Sequence, residues 1–325
     1  QEVVLSSYIV DKNQFWYVTI NKMKEMNVSV VIPNINGKSI LEKNLPKLFE
    51  AVNNPKNQII EVVIVDDGSW DDSVSFINQN YKGRIKLIKH TKNRGFSAAV
   101  NTGVRATKGN LILLINTDVI PEKNFLEPIL PHFKNPKVFA VSAHEEGYGG
   151  AKGVFANGYI ELSMNAETKN AAVSFYVSGG SGVFRKSIWQ ELDGMDEKLL
   201  SPFYWEDIDL CFRAAKRGYL NLWEPNGKVV HEHESTISKF PKVYVARVKE
   251  RNQLLMLWKN IHSRKLMKEH ILGLISRLLR HPGYIRIVLM ALGRFGIMLK
   301  ARKKEIRESK VSDEVIFARF TEYKK

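Results

Sequence analysis

The segment PFYWEDIDLCFRAAKRGY crowds three carboxylates, Glu206, Asp207 and Asp209, into four positions directly after Tyr204 and Trp205. The pattern that follows is helical and stops at Gly218. One or two acids at a helix start answer its unpaired N–H groups and the positive end of its dipole. A third, beside two aromatic rings, asks for a further explanation. Other acids stand at the ends of apolar runs. VDDGS carries Asp66 and Asp67, which serve either as turn formers or as hydrogen-bond acceptors for a nucleotide base or ribose. INTDV carries Asn116 and Asp118, either a polar strand end or a hard oxygen ligand for Mg²⁺ or Mn²⁺. HEHEST carries His231 and His233, which alone read as a solvated pair.

Those groups need a frame, and the front of the chain supplies an alternating one. NVSVVIP, IIEVVIVDDGS, RIKLIKH and NLILLINTD read as buried strands. Helical stretches fall between them, from about Lys38 to Val52, from Asp71 to Asn80, and over GFSAAVNTGVRAT. This order predicts the α/β class, a mainly parallel sheet covered by helices. In such sheets ligands sit beyond the carboxyl ends of the strands. Here those ends carry Asn34 and Asn36, then Asp66 and Asp67, then Asn116 and Asp118. Residues between His144 and Phe175 are Gly-rich and irregular and read as hairpins with a mobile loop. Two short strands are expected around Trp223 and Val229.

Charge divides the chain. Of the net +15, the part from Pro241 onward holds 21 Lys and Arg against 7 Asp and Glu, leaving 28 against 27 before it. The expected organisation is a strand-like lead (1–27), an α/β unit (28–240, its halves meeting near 120) and a basic helical region (241–325). Stripes holding Leu272, Ile275, Leu279, Ile287 and Leu289 lie beside Arg277, Arg280, Arg286 and Arg294. Two readings stand: helices that pack on the front unit with a solvated basic face, or amphipathic helices that lie in the headgroup plane of an anionic membrane. In the second of the two helical stretches, GYIRIVLMALGRFGIMLKARKK, the longest charge-free run, Ile287–Gly293, is far short of a span. The single cysteine, Cys211, sits in an apolar helical pattern and reads as a small core residue, in keeping with a reducing compartment.

The order of the motifs narrows the reading. IPNINGK, VDDGS, NRGFSAAVNTGV, LLINTDV, GGSGVFRK, WEDIDLCFRAAKRGY and VVHEHEST follow one another from about Asn27 to Asn260. The array resembles family 2 glycosyltransferases of the GT-A fold, in the branch that includes rhamnosyltransferase-like bacterial enzymes. The resemblance implies that Pro33, Asn34 and Asn36 neighbour the base. It implies that Asp66 or Asp67, with a preference for Asp67, touches base and ribose, and that Asn93, Arg94 and Gly95 line the nucleotide, with Asn101 a weaker candidate. INTD stands where the family has Asp-any-Asp. Asp118 is then the metal ligand, Asn116 lies nearer the ribose or sugar, and His231, or else His233, completes a Mn²⁺ or Mg²⁺ site. Asp207 is implied as the catalytic base. Glu206, Asp209, Trp205, Gly179 and Gly180 are implied on the acceptor side, with Tyr204 and Trp205 offering a flat face to a sugar.

The implied reaction is an inverting transfer from a nucleoside-diphosphate sugar, dTDP-rhamnose or a UDP-sugar, to a hydroxyl of a glycan or lipid-linked acceptor. The implied location is cytoplasmic, peripheral at the inner face of the plasma membrane. The rivals are a non-catalytic nucleotide-sugar-binding module and a nucleotidyltransferase. The latter would need a basic Gly-rich phosphate loop that IPNINGK does not match. Nucleic acid is not expected as a partner, because the acids converge on the rim where a phosphate backbone would be repelled.

Overall fold

The computed structural model describes residues 26–232 and 240–321. The lead around QFWYVTI and the fallback histidine, His233, lie outside those residues. The front alternates as its pattern requires: β1 (Val28–Asn34), α1 (Lys38–Val52), β2 (Ile59–Asp66), α2 (Ser73–Asn80), β3 (Ile85–Lys89), α3 (Phe96–Ala106) and β4 (Leu111–Ile115). The strands stand in the order β3-β2-β1-β4, all parallel. Successive side chains of a strand point to opposite faces, and here both faces are covered. Val30 and Ile32 join Leu41, Leu45 and Leu48 of α1 in one core, while Val31 joins Val100 and Val104 of α3 in another. That explains why the strands are continuously apolar rather than alternating.

The sheet then turns mixed. Its later elements are β5 (Val119–Pro121), β6 (Val138–Glu145), β7 (Ala151–Ala156), β8 (Tyr159–Met164), β9 (Ala172–Val173), β10 (Ser181–Arg185), α4 (Lys186–Glu191), α5 (Glu206–Lys216) and β11 (Leu220–His231). β10 lies antiparallel between β4 and β6, and β11 pairs parallel with β6 and antiparallel with β5. The two strands expected around Trp223 and Val229 are one. β11 keeps its course but slips register between Trp223 and Lys228, where Pro225 cannot donate to a ladder. Within the irregular stretch, β7 and β8 form a hairpin through Asn157 and Gly158, both at positive φ, the geometry of an Asn-Gly tight turn.

Past Pro241 the chain is helical, as its periodicity implies: α6 (Lys242–Asn260), α7 (Arg264–Arg280), α8 (Ile285–Leu292), α9 (Phe295–Glu308) and α10 (Asp313–Ala318). These helices are not an appendage. Leu254, Leu255, Met256 and Leu257 of α6 share a core with Trp205, Ile208 and Phe212 at and on α5. Phe317 of α10 packs against Phe175 and Phe212. Buried ion pairs reinforce the join: Lys216 with Asp313, Arg217 with Glu305, and Lys259 with Asp209. The charge step near residue 240 therefore marks no structural boundary. Several cations of the basic region neutralise interior carboxylates, and others are outward-facing.

Candidate active site

The carboxyl ends of β1 and β2 build one side of the rim. Asp66 is buried, and it accepts from Asn34 Nδ2 at 2.9 Å, Ser69 Oγ at 2.6 Å and Ser69 N–H at 3.0 Å. Asn36, at φ 51°, receives the Trp70 N–H on its Oδ1 at 2.9 Å and gives its own N–H to Ser69 Oγ at 2.8 Å. The loops after the two strands are thus tied into one wall, with the half-buried Pro33 closing β1 beside Val65.

Asp67 does different work from that expected. Its Oδ1 meets His90 Nδ1 at 2.6 Å and the Arg94 N–H at 2.9 Å, and its Oδ2 accepts the Gly95 N–H at 2.8 Å. Those donors take up a buried carboxylate that a base was expected to contact. Asp67 instead fixes the NRG turn, and Asn93 Oδ1 also accepts from Gly95 N–H at 2.9 Å. Gly68, at φ 79°, makes that closeness possible: a Cβ there would stand 2.7 Å from the Lys92 carbonyl carbon. The exposed Arg94 reaches Glu197 at 3.4 Å. Asn101 is interior, bridging the main chain of Met195 and the Glu197 carboxylate, so it braces α3 rather than lining a ligand.

Asp118 and His231 meet on the other side of the rim. Asp118 Oδ1 lies 3.4 Å from His231 Nε2, and Glu145 Oε2 lies 3.4 Å from His231 Nδ1. Two neighbouring ligands at ~2.1 Å from one cation stand about 3 Å apart, so this oxygen–nitrogen pair is suited to a divalent ion. Glu145 on the far ring nitrogen is the kind of outer carboxylate that orients a ligating imidazole. Contact with Asp118 raises the His231 pKa, opposed by burial. Among the described residues no cluster of three or more His, Cys, Asp or Glu forms a closed cage. A pair that leaves positions open for phosphate oxygens is a common way to hold Mg²⁺.

A short backbone bridge joins this pair to α5. Asn116 N–H donates to the Gly180 carbonyl at 2.9 Å, and the neighbouring Gly179 N–H donates to Asp207 Oδ2 at 3.2 Å. A Cβ on Gly180 would stand 2.8 Å from Asn116 Nδ2, so any larger residue there would push the Asn116 amide aside. Asn116, Asp118, His231, Gly179, Gly180 and Asp207 therefore share one stretch of rim.

The three acids of α5 have separate fates. Asp207 is half-buried, held by Gly179 N–H and by Ile208 N–H at 2.8 Å on Oδ1; burial pushes its pKa up. Glu206 is buried with Oε2 unpartnered, and burial, then the Asp207 charge, drive its pKa well above the usual carboxylate range. Asp209 is 0% exposed and faces away from any opening, against Arg213 at 2.8 Å, Lys259 at 3.0 Å and Asn260 at 2.7 Å. Its expected place on the acceptor side gives way to a structural one. Trp205 is corrected too: at 4% exposure its ring belongs to the core and cannot offer a face to a sugar. Tyr204 is the more open of the two rings, with Lys249 Nζ 5.6 Å from its centroid.

Glu206 has a measurable consequence. Its raised folded-state pKa means that the native state holds a proton the unfolded chain releases earlier. That stability is present below the unfolded value of about 4.3 and is lost as pH rises through the folded value. Glu206→Gln should flatten the decline of melting temperature between mildly acidic and alkaline pH. Parallel slopes for parent and variant in thermal melts would show that Glu206 does not titrate there.

Several residues at the site carry no local sequence signal. Tyr204 and Trp205 both adopt positive φ, 69° and 75°, a strained entry to α5 for bulky side chains. The strain is held from outside. Asn252 of α6 donates to the carbonyls of Leu200, Phe203 and Tyr204, Arg251 to Ser201, and Arg294 to Lys198, Leu199 and Ser201. Nothing in a short motif links Asn252 to Asp207; only the packing of α6 on α5 does. Glu145 was equally silent, closing an ordinary strand. Trp70 directly follows VDDGS and stands 85% exposed at the mouth, where a buried aromatic would be the default.

Comparison with known proteins bears on the family and the fold. The profile described as glycosyl transferase family 2 matches residues 29–192. The pre-mycofactocin glycosyltransferase of Mycobacterium tuberculosis is 29% identical over 219 residues, which are 65% of this chain and 44% of that protein. The chain thus spans less than half the length of that relative. A crystal structure of GalNAc-T7 with UDP, GalNAc and Mn²⁺ superposes with a TM-score of 0.61 at 14% identity, covering 81% of this chain and 57% of the other. The mannosyltransferase PcManGT of Pyrobaculum calidifontis, in complex with GDP-Man and Mn²⁺, gives 0.54 at 15%, covering 88% and 86%. The architecture is the GT-A fold, a curled, mostly parallel mixed sheet with flanking helices, here continued by C-terminal helices. With its profile match spanning half the sequence and its rim motifs in order, the chain belongs to glycosyl transferase family 2.

Proposed function

We propose that this protein is a metal-dependent inverting glycosyltransferase that moves a sugar from a nucleoside diphosphate to a hydroxyl of a glycan or lipid-linked acceptor. The observation that carries the reading is the single rim on which Asp118 and His231 stand 3.4 Å apart and Gly179 links onward to Asp207. The rhamnosyltransferase-like motif order points to dTDP-rhamnose or a UDP-sugar as donor. UDP and GDP-Man in the two solved neighbours support the donor class, and their Mn²⁺ supports the cation.

Asp207 takes the proton of the acceptor hydroxyl while that oxygen forms its bond to the anomeric carbon. The bond to the diphosphate breaks on the opposite face, so the configuration inverts. Asp118 and His231 would hold a Mn²⁺ or Mg²⁺ ion, which when bound offsets charge growing on the leaving diphosphate. The loops tied by Asp66, Asn34 and Asn36 form the wall for the nucleoside, and the turn fixed by Asp67 presents Asn93, Arg94 and Gly95.

A thermal-shift screen of UDP, dTDP and GDP and their sugars, with and without Mn²⁺, tests the reading. Ligand at a hundred times its Kd adds about 2.7 kcal/mol to apparent stability. One nucleotide series should raise the melting temperature more with Mn²⁺ than without, and Asp118→Ala should remove the Mn²⁺-dependent part. Equal shifts in parent and variant would overturn the ligand assignment. Donor binding with no transfer to any hydroxyl acceptor would leave a sugar-nucleotide-binding module.

A further inference from the structure

The C-terminal helices bury one side in the molecule and leave the other side unusually greasy. On α7, Leu272, Ile275 and Leu279 recur at helical spacing and are all exposed, Leu279 by 78%. On α8, Ile285, Leu289 and Leu292 do the same; on α9 Phe295 and Leu299, four residues apart, are exposed on one face, and Ile297 is exposed as well. Their opposite faces are spoken for: Ile287, Val288, Ala291 and Met298 lie in the shared core. Soluble monomers rarely expose apolar residues in such consecutive runs, and when they do the runs mark a contact surface.

Charge identifies the contact. Between Arg264 and Arg307 the sequence has twelve Lys and Arg against two Asp and Glu. Arg277 pairs with Glu250, both only half-buried, while Arg294 bonds the loop before α5 and Arg302 bonds the carbonyls of Trp258 and Ile261. Lys268, Arg280, Arg286, Lys300 and Lys303 instead stand exposed among the apolar residues. Leucine and isoleucine flanked by outward lysine and arginine match the boundary between acyl chains and anionic headgroups. They do not suit a neutral or positively charged partner.

The geometry also separates lying on a bilayer from crossing it. Among the described residues no single helix is long and apolar enough to span. Pro282–Leu292 and Phe295–Glu308 together have the length and composition, but they meet at a 69° bend. Arg294 sits in that bend and donates to the carbonyls of Lys198, Leu199 and Ser201 at 2.7–3.0 Å. Straightening the pair would break those bonds and expose Ala291 and Met298. We infer that α7, α8 and α9 form a docking surface for an anionic lipid bilayer, lying in its headgroup plane without spanning it. This inference is independent of the donor, the metal and Asp207.

Sedimentation of the full chain with sucrose-loaded vesicles tests it. The vesicles are phosphatidylcholine alone or phosphatidylcholine with phosphatidylglycerol. Truncating the helices would remove part of the core, so point variants are used. The triple variant Leu272→Glu, Leu279→Glu, Leu289→Glu changes only exposed positions, and its melting curve checks folding. A second variant, Arg280→Gln with Arg286→Gln, keeps the apolar face. The parent should pellet with the phosphatidylglycerol vesicles and stay in solution with pure phosphatidylcholine, and added salt should weaken binding. The triple Glu variant should bind at least tenfold more weakly. Each cation lost should cost about fivefold, the factor for one basic residue near an anionic surface. Equal binding to both vesicle types, or undiminished binding by the triple variant, would overturn the inference. So would a parent dimer that the triple variant disperses, since a second copy would then cover the face.

Discussion

Asp207→Asn is expected to lower sugar transfer by roughly 10²–10⁴-fold, the usual worth of a positioned general base, while nucleoside-diphosphate binding survives. The carboxylate is held at both oxygens by backbone N–H groups, Gly179 on Oδ2 and Ile208 on Oδ1, and remains half-buried on the rim. Burial raises its pKa, which brings its basicity toward that of a working base. The sign follows. Activity needs the ionised form, so the rate should fall as pH drops through the raised value, at higher pH than for an ordinary Asp near 3.9. Asparagine keeps the shape but offers one oxygen where two backbone donors need acceptors, so a stability loss of about 1 kcal/mol is also expected. Single-turnover transfer, run beside calorimetric titration with the nucleoside diphosphate, separates the two effects. Transfer at the parental rate, with binding intact, would show that another group takes the proton.

What the sequence disclosed and what it withheld divide along a physical line. β1 to β4 and their helices are local: each strand is a continuous apolar run, each turn carries Asp, Asn or Gly, and both faces are buried. Period and punctuation suffice there. Asp118 closes an apolar run, so its place at a strand end was readable; His231 alone reads as one of a solvated pair, and only the order of the motifs joined it to Asp118, from which it stands 3.4 Å away. The role of Asp209 was not readable. At a helix start, two residues after Asp207, it looks like one more acid of the same cluster. Its side chain instead points to the face that α6 covers, so its role depends on Lys259 and Asn260, fifty residues away. Trp205 misleads for the same reason: its ring is buried in a core that α6 shares, and the carbonyls of Phe203 and Tyr204 before it accept from Asn252, some fifty residues on, which no local motif announces. The charge step at residue 240 suggested a separate region because composition records charge but not where each cation points.

Asp209→Ala should be the most destabilising single change on α5, by about 3–5 kcal/mol, because it leaves buried charge without its partner. Arg213 and Lys259 are both nearly fully buried and both meet Asp209 Oδ2, at 2.8 and 3.0 Å. Two carbonyls, of Leu192 and Gly194, and Asp196 would remain to them, which is hydrogen bonding for Arg213 and half the former charge for Lys259. Total stability of a domain is typically about 5–15 kcal/mol, so the urea midpoint should move far down. The pH dependence provides a second reading. Burial alone would push the Asp209 pKa up, but Arg213 and Lys259 outweigh it and hold the group down at about 2. A depressed folded-state pKa contributes stability that is present above the unfolded value of about 3.9 and disappears as pH falls toward 2. Replacing Asp209 should therefore flatten acid unfolding in that window while lowering stability at neutral pH. Asp207→Asn, two residues earlier, should do neither to a comparable degree. A neutral-pH loss under about 1 kcal/mol for Asp209→Ala would mean that the buried cations reach other partners, and that α6 is held to α5 by its apolar contacts alone.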